Sequence, residues 1–192
     1  MIENRIETFS EDANLKDYKK ICKEFSWENI NSEFCWHKTG EVNIGYAAID
    51  SHAENSFLKD QNCLVFSSNH NTIEFTYSEM KILSNQLGNA LRKLGIRRES
   101  TVFLLLPHIP ELYIALVACA KIGAIISLLD TESRKDQIKH HLLDSRGSLI
   151  ITTKALALNI PDDALPDLNH IILIDGNHLD TEGKNVSLKP IM

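Results

Sequence analysis

Four short apolar runs, separated by amphipathic segments, occupy the second half of the chain. Each has the length and composition of a strand that is buried on both faces of a sheet. They are 101–106, 124–129, 149–151 and 171–174. Between the runs, apolar residues recur at helical spacing in three segments, about 111–122, from Ser133 onward, and about 155–158. Buried strands that alternate with helices predict an α/β fold, in which crossover helices cover a parallel sheet in a three-layer αβα arrangement.

A helix, a hairpin and a second helix are predicted ahead of this sheet. Residues 43–54 carry apolar side chains at near-helical spacing, and β-rich runs at 63–66 and 72–76 flank a polar loop. The sequence over 76–79 fits a capping box, and an amphipathic stripe of apolar residues follows it. Gly95 stands where the glycine after a helix belongs, so this second helix is predicted to end there.

The composition of the chain changes twice, which predicts three regions. Residues 1–40 are polar, mixed in charge and contain several aromatic side chains, and we interpret them as an N-terminal arm with a short helix over 17–25. Residues 41–176 hold the strand and helix patterns and are interpreted as a partial α/β subdomain. Residues 177–192 are polar and lack any period, which predicts a tail or linker.

Composition and charge exclude some classes of partner. Hydrophobic residues make up 43% and charged residues 24% of the chain, an ordinary balance for a soluble globular protein. The net charge of −6 argues against generic binding to nucleic acid or to an anionic membrane. The four cysteines lack the two-residue spacing of zinc or redox motifs, so we expect reduced structural cysteines. The chain shows neither a signal-peptide core nor an apolar run that could span a bilayer, and we expect a cytoplasmic protein.

Two pairs of polar side chains are candidates for chemistry. The carboxylate of Asp50 and the imidazole of His52 could exchange protons, but no nucleophile lies near them in sequence, so we favour a structural contact at a helix end. His140 and His141 are adjacent on a predicted helix and point to different faces, which makes them poor joint metal ligands. We therefore assign no metal site.

Six strings, taken together in their order and spacing, resemble one protein family. They are 42–53, 75–80, 105–113, 121–125, 142–145 and 149–153. The family is that of the acetyl-CoA synthetase-like, AMP-forming acyl-CoA synthetases, within the ANL adenylate-forming superfamily. The resemblance extends from about residue 25 to residue 175. The string at 34–36 is more similar to acetyl- and propionyl-type synthetases than to the long-chain fatty acid enzymes.

The resemblance implies a reaction whose chemical residues lie elsewhere. Such enzymes activate a carboxylate with ATP, giving an acyl-adenylate and pyrophosphate, and the thiolate of CoA then attacks the adenylate. The resemblance implies ATP, Mg and CoA as cofactors of the full-length family, and an incomplete N-terminal part of the large domain as the fold of this chain. The family's phosphate loop, adenine-binding motif, ribose-binding aspartate and C-terminal lysine would all follow residue 192. We therefore assign no catalytic residue and no bound cofactor in this chain.

A CoA-proximal turn is the one ligand contact that the resemblance implies here. Asp130, Thr131 and Glu132 follow the carboxyl end of a predicted strand, where open α/β sheets place ligands and where the family's turn approaches CoA. Lys135 and Lys154 are candidate phosphate partners by charge alone. Relatives have an aromatic or glycine-rich turn at this position. The alternative is an ordinary strand-to-helix loop capped by Ser133.

Three functions remain open on the sequence. The first is the N-terminal part of an acetate or short-chain acid CoA ligase that has no activity by itself. The second is a standalone, non-catalytic binding or interaction protein. The third is one subunit of a split ligase. The expected partners are the remainder of the ligase or a complementary chain, and apolar layers left uncovered would favour self-association. Nucleic acid and membrane are not expected as partners.

Overall fold

A computed structural model describes five stretches of the chain. They are 17–33, 40–68, 71–161, 165–175 and 185–187. The string at 34–36, on which part of the resemblance rests, lies outside the described residues. The chain divides into two compact units, Met1–Val42 and Asn43–Met192.

The first unit contains two short helices, α1 (Tyr18–Glu24) and α2 (Trp27–Glu33). The first confirms the helix predicted over 17–25, and the side chain of Asp17 caps it by accepting the Lys20 N–H at 3.0 Å. The second was not predicted, because its polar sequence has no apolar stripe. The rings of Phe25 and Trp27 meet edge to face, with centroids 5.2 Å apart.

The second unit follows the predicted order of elements, with one further strand at its end. In chain order they are α3 (a π-helical turn, Tyr46–Asp50, continued by Ser51–Ala53), β1 (Asn62–Ser67), β2 (Thr72–Thr76), α4 (Tyr77–Lys93), β3 (Thr101–Leu105), α5 (Pro110–Ile122), β4 (Ile125–Leu128), α6 (Lys135–Asp144), β5 (Leu149–Thr152), α7 (Lys154–Ala157), β6 (His170–Leu173) and β7 (Asn185–Ser187). The capping box that begins α4 and the left-handed Gly95 that follows it are both confirmed.

The strands form an antiparallel hairpin and a five-stranded parallel sheet. The hairpin joins β1 to β2, and the sheet has the order β4-β3-β5-β6-β7. Neighbouring strands of the sheet are parallel throughout. Strand β7 lies within the segment 177–192 that was predicted as a tail or linker. It was not predicted, because three residues of mixed polarity carry too short a pattern.

Alternate residues of β3 bury against opposite helical layers. Val102 and Leu104 pack with α4 and α5 on one face, whereas Phe103 and Leu105 pack with α6 and α7 on the other. Because successive strand side chains point to opposite faces, a continuous apolar run is the pattern that a doubly covered strand requires. The predicted three-layer α/β fold is therefore confirmed.

Strand β4 differs from its prediction as a strand buried on both faces. It is an edge strand, and its Ile125 and Leu128 side chains are 52% and 61% exposed. An apolar run shows which side chains would be stabilised by burial, but the order of strands in the sheet decides which of them other elements cover. The prediction of a strand buried on both faces at 124–129 was therefore wrong, since none of the four residues of β4 is fully buried.

The glycine that follows α6 is required by packing rather than by the left-handed backbone at the end of the helix. The left-handed residue after this helix is Arg146, with φ of 51°, and not Gly147. A Cβ atom on Gly147 would overlap the ring of Phe103. The glycine is needed because the chain passes directly over a buried aromatic ring, a contact that is invisible in the local sequence.

Candidate functional site

The carboxyl edge of the parallel sheet is the candidate ligand site. The chain passes from β3 to β4 on one side of β3 and then crosses to β5 on its other side. Open α/β sheets bind ligands outside the carboxyl ends of their strands, where such changes of direction leave a crevice between loops. The loops after β3, β4 and β5 therefore form the part of this fold that is suited to a ligand.

A cleft of about 280 Å³ opens at this edge, between the ends of β3 and β4 and the start of α5. Most of its wall is apolar, and polar groups stand only at the two loops. Its lining residues are Leu104, Leu106, Pro107, His108, Leu112, Leu128, Leu129, Asp130 and Thr131. An apolar cleft with a few polar groups at its mouth is the general form of a small-molecule site.

The turn at the mouth of the cleft is held by the side chain of Asp130. Its Oδ1 atom accepts the Glu132 N–H at 3.0 Å, and its carbonyl accepts the Ser133 N–H at 3.0 Å. Asp130 and Glu132 are exposed, and Thr131 is half-buried. The turn thus presents two carboxylates to solvent beside an apolar cleft.

The cap predicted at Ser133 is wrong. Residue Arg134 occupies the cap position of α6, and its N–H donates to the side-chain oxygen of Gln137 at 2.9 Å. Ser133 is drawn into the preceding turn by its hydrogen bond to the Asp130 carbonyl. The turn is therefore one residue longer than the sequence indicated.

The two candidate lysines lie at the same edge of the sheet but do not line the cleft. Lys135 begins α6 after β4, and Lys154 begins α7 after β5, with β3 between the two strands. Both side chains are exposed. The backbone N–H of Lys154 donates to Oδ1 of Asp175 at 2.8 Å, and this bond connects the loop after β5 to the end of β6. The structure therefore places Asp130 and Thr131 in the wall of the cleft, whereas Lys135 and Lys154 lie outside it on the same edge of the sheet.

The loop after β3 supplies site residues that the sequence analysis did not single out. Pro107 and His108 line the cleft opposite the acidic turn. The sequence could have identified them only by their position, since both directly follow the carboxyl end of a buried strand. Neighbouring strands of a parallel sheet end together, so these loops meet whenever β3 and β4 pair.

The acid of the Asp50–His52 pair bonds a lysine instead of the histidine. Oδ2 of Asp50 lies 2.7 Å from Nζ of Lys121, which also donates to Ser84 at 2.8 Å and to Asn85 at 2.9 Å. The ring of His52 stacks on the ring of Tyr77, with centroids 4.8 Å apart. The arrangement supports the structural interpretation, because the carboxylate is held by a cation on a different helix.

The backbone of the segment before α3 is fitted to the same lysine. The Asn43 side-chain amide donates to the Lys121 carbonyl at 2.9 Å, and its oxygen accepts the Tyr46 N–H at 3.0 Å. A Cβ atom on Gly45 would lie 2.7 Å from Cγ of Lys121. The close approach of α3 to the end of α5 therefore explains both the asparagine at position 43 and the glycine at position 45.

The adjacent histidines on α6 do not converge on a common point. The ring centroids of His140 and His141 are 6.5 Å apart, and their planes are inclined by 65°. Within the described ranges, no group of three or more His, Cys, Asp or Glu side chains could hold a metal ion.

Three cysteines fall within the described stretches, and each is a free thiol. They are Cys22, Cys63 and Cys119. Burial raises the pKa of Cys63, and full burial raises the pKa of Cys119 to about 12. Cys119 is therefore a small core residue rather than a nucleophile.

A second cavity, of about 250 Å³, lies at the opposite end of the sheet. It is lined mainly by polar residues of α4 and by the end of α5, including Asn89, Arg92 and Lys121. Both helices end there, and basic side chains in a last helical turn stabilise its unpaired carbonyls. The ammonium of Lys121 is held by Asp50 and by two polar side chains of α4, so we interpret only Arg92 as a helix-end contact.

The open parallel sheet, with helices on both faces and a cleft at its carboxyl edge, defines an α/β protein of the open-sheet class. The comparisons with known proteins make this class specific, since the family model described as AMP-binding enzyme matches residues 52–190. The chain belongs to this AMP-binding enzyme family. The family resemblance seen in the sequence is thereby confirmed.

Known relatives agree with this assignment. The chain is 37% identical over 166 residues to an acetyl-coenzyme A synthetase of Bacillus subtilis, a match that covers 86% of this chain and 29% of the relative. It is 30% identical over 149 residues to an acetyl-coenzyme A synthetase of Psychrobacter cryohalolentis, covering 75% of this chain and 22% of the relative. The chain therefore spans less than a third of the curated relatives that it matches.

A solved structure shows the same fold. The acyl-CoA synthetase of Brucella canis superposes with a TM-score of 0.74 at 22% identity, over 88% of this chain and 30% of that chain. Among the helices that the structure describes, none is long and apolar enough to cross a membrane.

Proposed function

We propose that this chain is the N-terminal part of an AMP-forming acetate–CoA ligase, which makes acyl-CoA from a short-chain carboxylate, ATP and CoA through an acyl-adenylate. The observation that carries the proposal is the match to an acetyl-coenzyme A synthetase over 86% of the chain at 37% identity. The confirmed αβα fold supports it, because the fold provides a carboxyl edge suited to a ligand. ATP, Mg and CoA are the cofactors expected of the full-length enzyme.

We further propose that the chain has no ligase activity on its own. Adenylate formation requires donors around the pyrophosphate oxygens and neutralisation of their charge. The sequence contains neither a Gly-x-x-x-x-Gly-Lys-Ser/Thr loop nor another glycine-rich phosphate loop. The groups that perform the chemistry would then come from the remainder of the ligase.

The carboxyl edge fits part of a CoA molecule. The cleft of about 280 Å³ is too small for the whole cofactor but has an apolar wall suited to its flexible arm. Lys135 and Lys154 would contact the phosphates, and the turn formed by Asp130, Thr131 and Glu132 would flank the arm. When bound, CoA supplies the thiol that receives the acyl group.

Acetate-dependent exchange between ATP and pyrophosphate tests the ligase proposal. We expect no exchange from the pure chain, and clear exchange from a chimera in which this chain replaces the matching region of the Bacillus subtilis acetyl-coenzyme A synthetase. Exchange by the pure chain would overturn the proposed inactivity. A folded chimera without exchange would overturn the ligase assignment.

The lysines can be tested in the same chimera. We expect Lys135→Gln and Lys154→Gln each to raise KM for CoA several-fold while KM for ATP stays constant, because a phosphate would lose one charged partner. Lys93→Gln is the matched control, since this exposed lysine ends α4 at the opposite end of the sheet. An unchanged KM for CoA in both variants would remove the lysines from the site.

A further inference from the structure

Strand β4 leaves an apolar edge of the sheet open. It pairs with β3 on one side, and in the described part of the chain no strand lies on its other side. Its side chains Ile125 and Leu128 are 52% and 61% exposed. Leu128 also lines the carboxyl-edge cleft, so the exposed edge and the apolar cleft form one continuous surface.

The backbone of β4 presents unpaired groups along this edge. The Ile125 N–H donates to the carbonyl of Ser100, the residue before β3, at 2.9 Å, and the Leu129 N–H donates to the carbonyl of Leu104 in β3 at 3.0 Å. In a parallel ladder, alternate residues direct their backbone groups to the same side. The N–H groups of Ile126 and Leu128 therefore point away from β3, toward the open edge.

The edge lacks the features that normally protect exposed strands. Proteins block such edges with charged residues, proline or bulges. The run 124–129 contains no charged residue and no proline, and its pairing with β3 is regular. An unprotected apolar edge is expected where another strand covers it in the complete protein.

The length of β4 decides between two possible occupants of the open edge, a second copy of the chain and a strand of the same polypeptide. Its four residues extend over about 13 Å, since a strand rises about 3.3 Å per residue. Pairing of two such short edges would bury far less than the roughly 1,000 Å² that a stable interface between separate molecules needs. A strand in the same polypeptide needs no such area, because its effective concentration is high.

We propose that β4 pairs with a strand from the part of a full-length family polypeptide that this chain does not contain, and that this strand covers the exposed side chains of Ile125 and Leu128. The chain spans only 29% of its Bacillus subtilis relative, so such a polypeptide provides ample further length. This inference rests on the proposed function, since it names the remainder of the ligase as the partner.

Hydrogen exchange at single amides tests the proposal, with the chain alone compared to the Bacillus subtilis chimera. We expect the Ile126 and Leu128 amides to exchange rapidly in the chain alone and at least about tenfold more slowly in the chimera, because they gain hydrogen-bond acceptors. The Ile125 and Ser127 amides are internal controls, because their bonds to β3 protect them in both proteins.

A pair of matched variants adds a second readout. Leu128→Lys should abolish the added protection at Ile126, because a charge would have to enter the apolar surface. Leu158→Lys should leave the protection intact, since Leu158 is 74% exposed and lies outside the edge.

Two results would overturn the proposal. One is rapid exchange at Ile126 and Leu128 in a folded chimera. The other is protection in the chain alone that grows with protein concentration, which would make a second copy the occupant. Ligase activity separates this inference from the proposed function, because an active chimera with unprotected amides overturns only the pairing of β4. An inactive, folded chimera with protected amides overturns only the function.

Discussion

The carboxylate of Asp50 and the ammonium of Lys121 lie 2.7 Å apart, with side chains that are only 9% and 11% exposed. The pair joins α3 to α5, and the bond from Lys121 to Ser84 extends the contact to α4. Three elements that are far apart in sequence thus meet at one buried cation. Removing Asp50 would leave Lys121 desolvated without a counter-charge, whereas removing Lys121 would leave Asp50 with only the more distant Lys81, at 3.9 Å.

We expect Asp50→Asn to destabilise the second unit by roughly 3 kcal/mol, because Lys121 would remain buried without a counter-charge. Urea unfolding at pH 7 measures the loss. The control is Asp60→Asn, which removes an exposed pair with Lys59 at 3.9 Å and should cost less than about 0.5 kcal/mol. Equal losses of unfolding free energy in the two variants would show that the buried pair stabilises the fold no more than the exposed pair does.

Gly147→Ala should destabilise the fold by about 2–3 kcal/mol, because its new Cβ atom would overlap the buried ring of Phe103. The control is Gly95→Ala. That glycine stands in an exposed turn with open space around it, and its φ of 87° alone should cost about 1 kcal/mol.

A double variant separates overlap from backbone strain at Gly147. Phe103→Leu removes the ring, so the combination with Gly147→Ala should be less destabilising than the sum of the two single changes. Strict additivity in urea unfolding would rule out the contact as the cause.

Thr152→Val should leave stability unchanged or raise it by up to about 1 kcal/mol. Among the described residues, the Oγ1 atom of Thr152 is fully buried and has no hydrogen-bond partner, so valine removes an uncompensated polar group at nearly constant volume. Ser84→Ala is the opposite case, because its buried hydroxyl donates to the Met80 carbonyl at 2.6 Å and accepts from Lys121. That change should cost about 1–3 kcal/mol by thermal or urea unfolding.

The capping box of α4 should make stability depend on pH through Glu79. Hydrogen bonds from the backbone and the hydroxyl of Thr76 hold the pKa of Glu79 below its usual value. The stabilisation is therefore present above the unfolded-state value of about 4.3 and is lost as the pH falls through the lower pKa of the folded state. We expect the urea midpoint to fall less between pH 6 and pH 3 in Glu79→Gln than in the wild type, and equal falls in the two proteins would show that Glu79 does not carry the pH dependence.

The local patterns of the sequence predicted most elements because their causes are local. The start of α4 follows from the side chains of Thr76 and Glu79, and the end of α5 follows from Gly123, whose φ of 73° suits glycine. The continuous apolar run at β3 predicted a strand that is covered on both faces, and it is. Strand β7 escaped prediction, since three residues are too few to show a period.

The candidate site was predicted only in part. Asp130 and Thr131 were identified because they follow the end of a strand, and the structure places both in the cleft. Pro107 and His108 share that position after β3, yet they reach the same cleft only because β3 and β4 are neighbours in the sheet. The placement of Lys154 likewise depends on β5 lying on the far side of β3.

The sequence alone determined the elements, the α/β class and the family, because hydrophobic period, caps and motif order are properties of neighbouring residues. The tertiary structure decided which partner each side chain meets. It gave Asp50 a lysine in place of a histidine, made Gly147 necessary beneath Phe103, and left β4 at the edge of the sheet. These outcomes depend on strand order and helix packing, which join residues distant in sequence and so leave no local pattern.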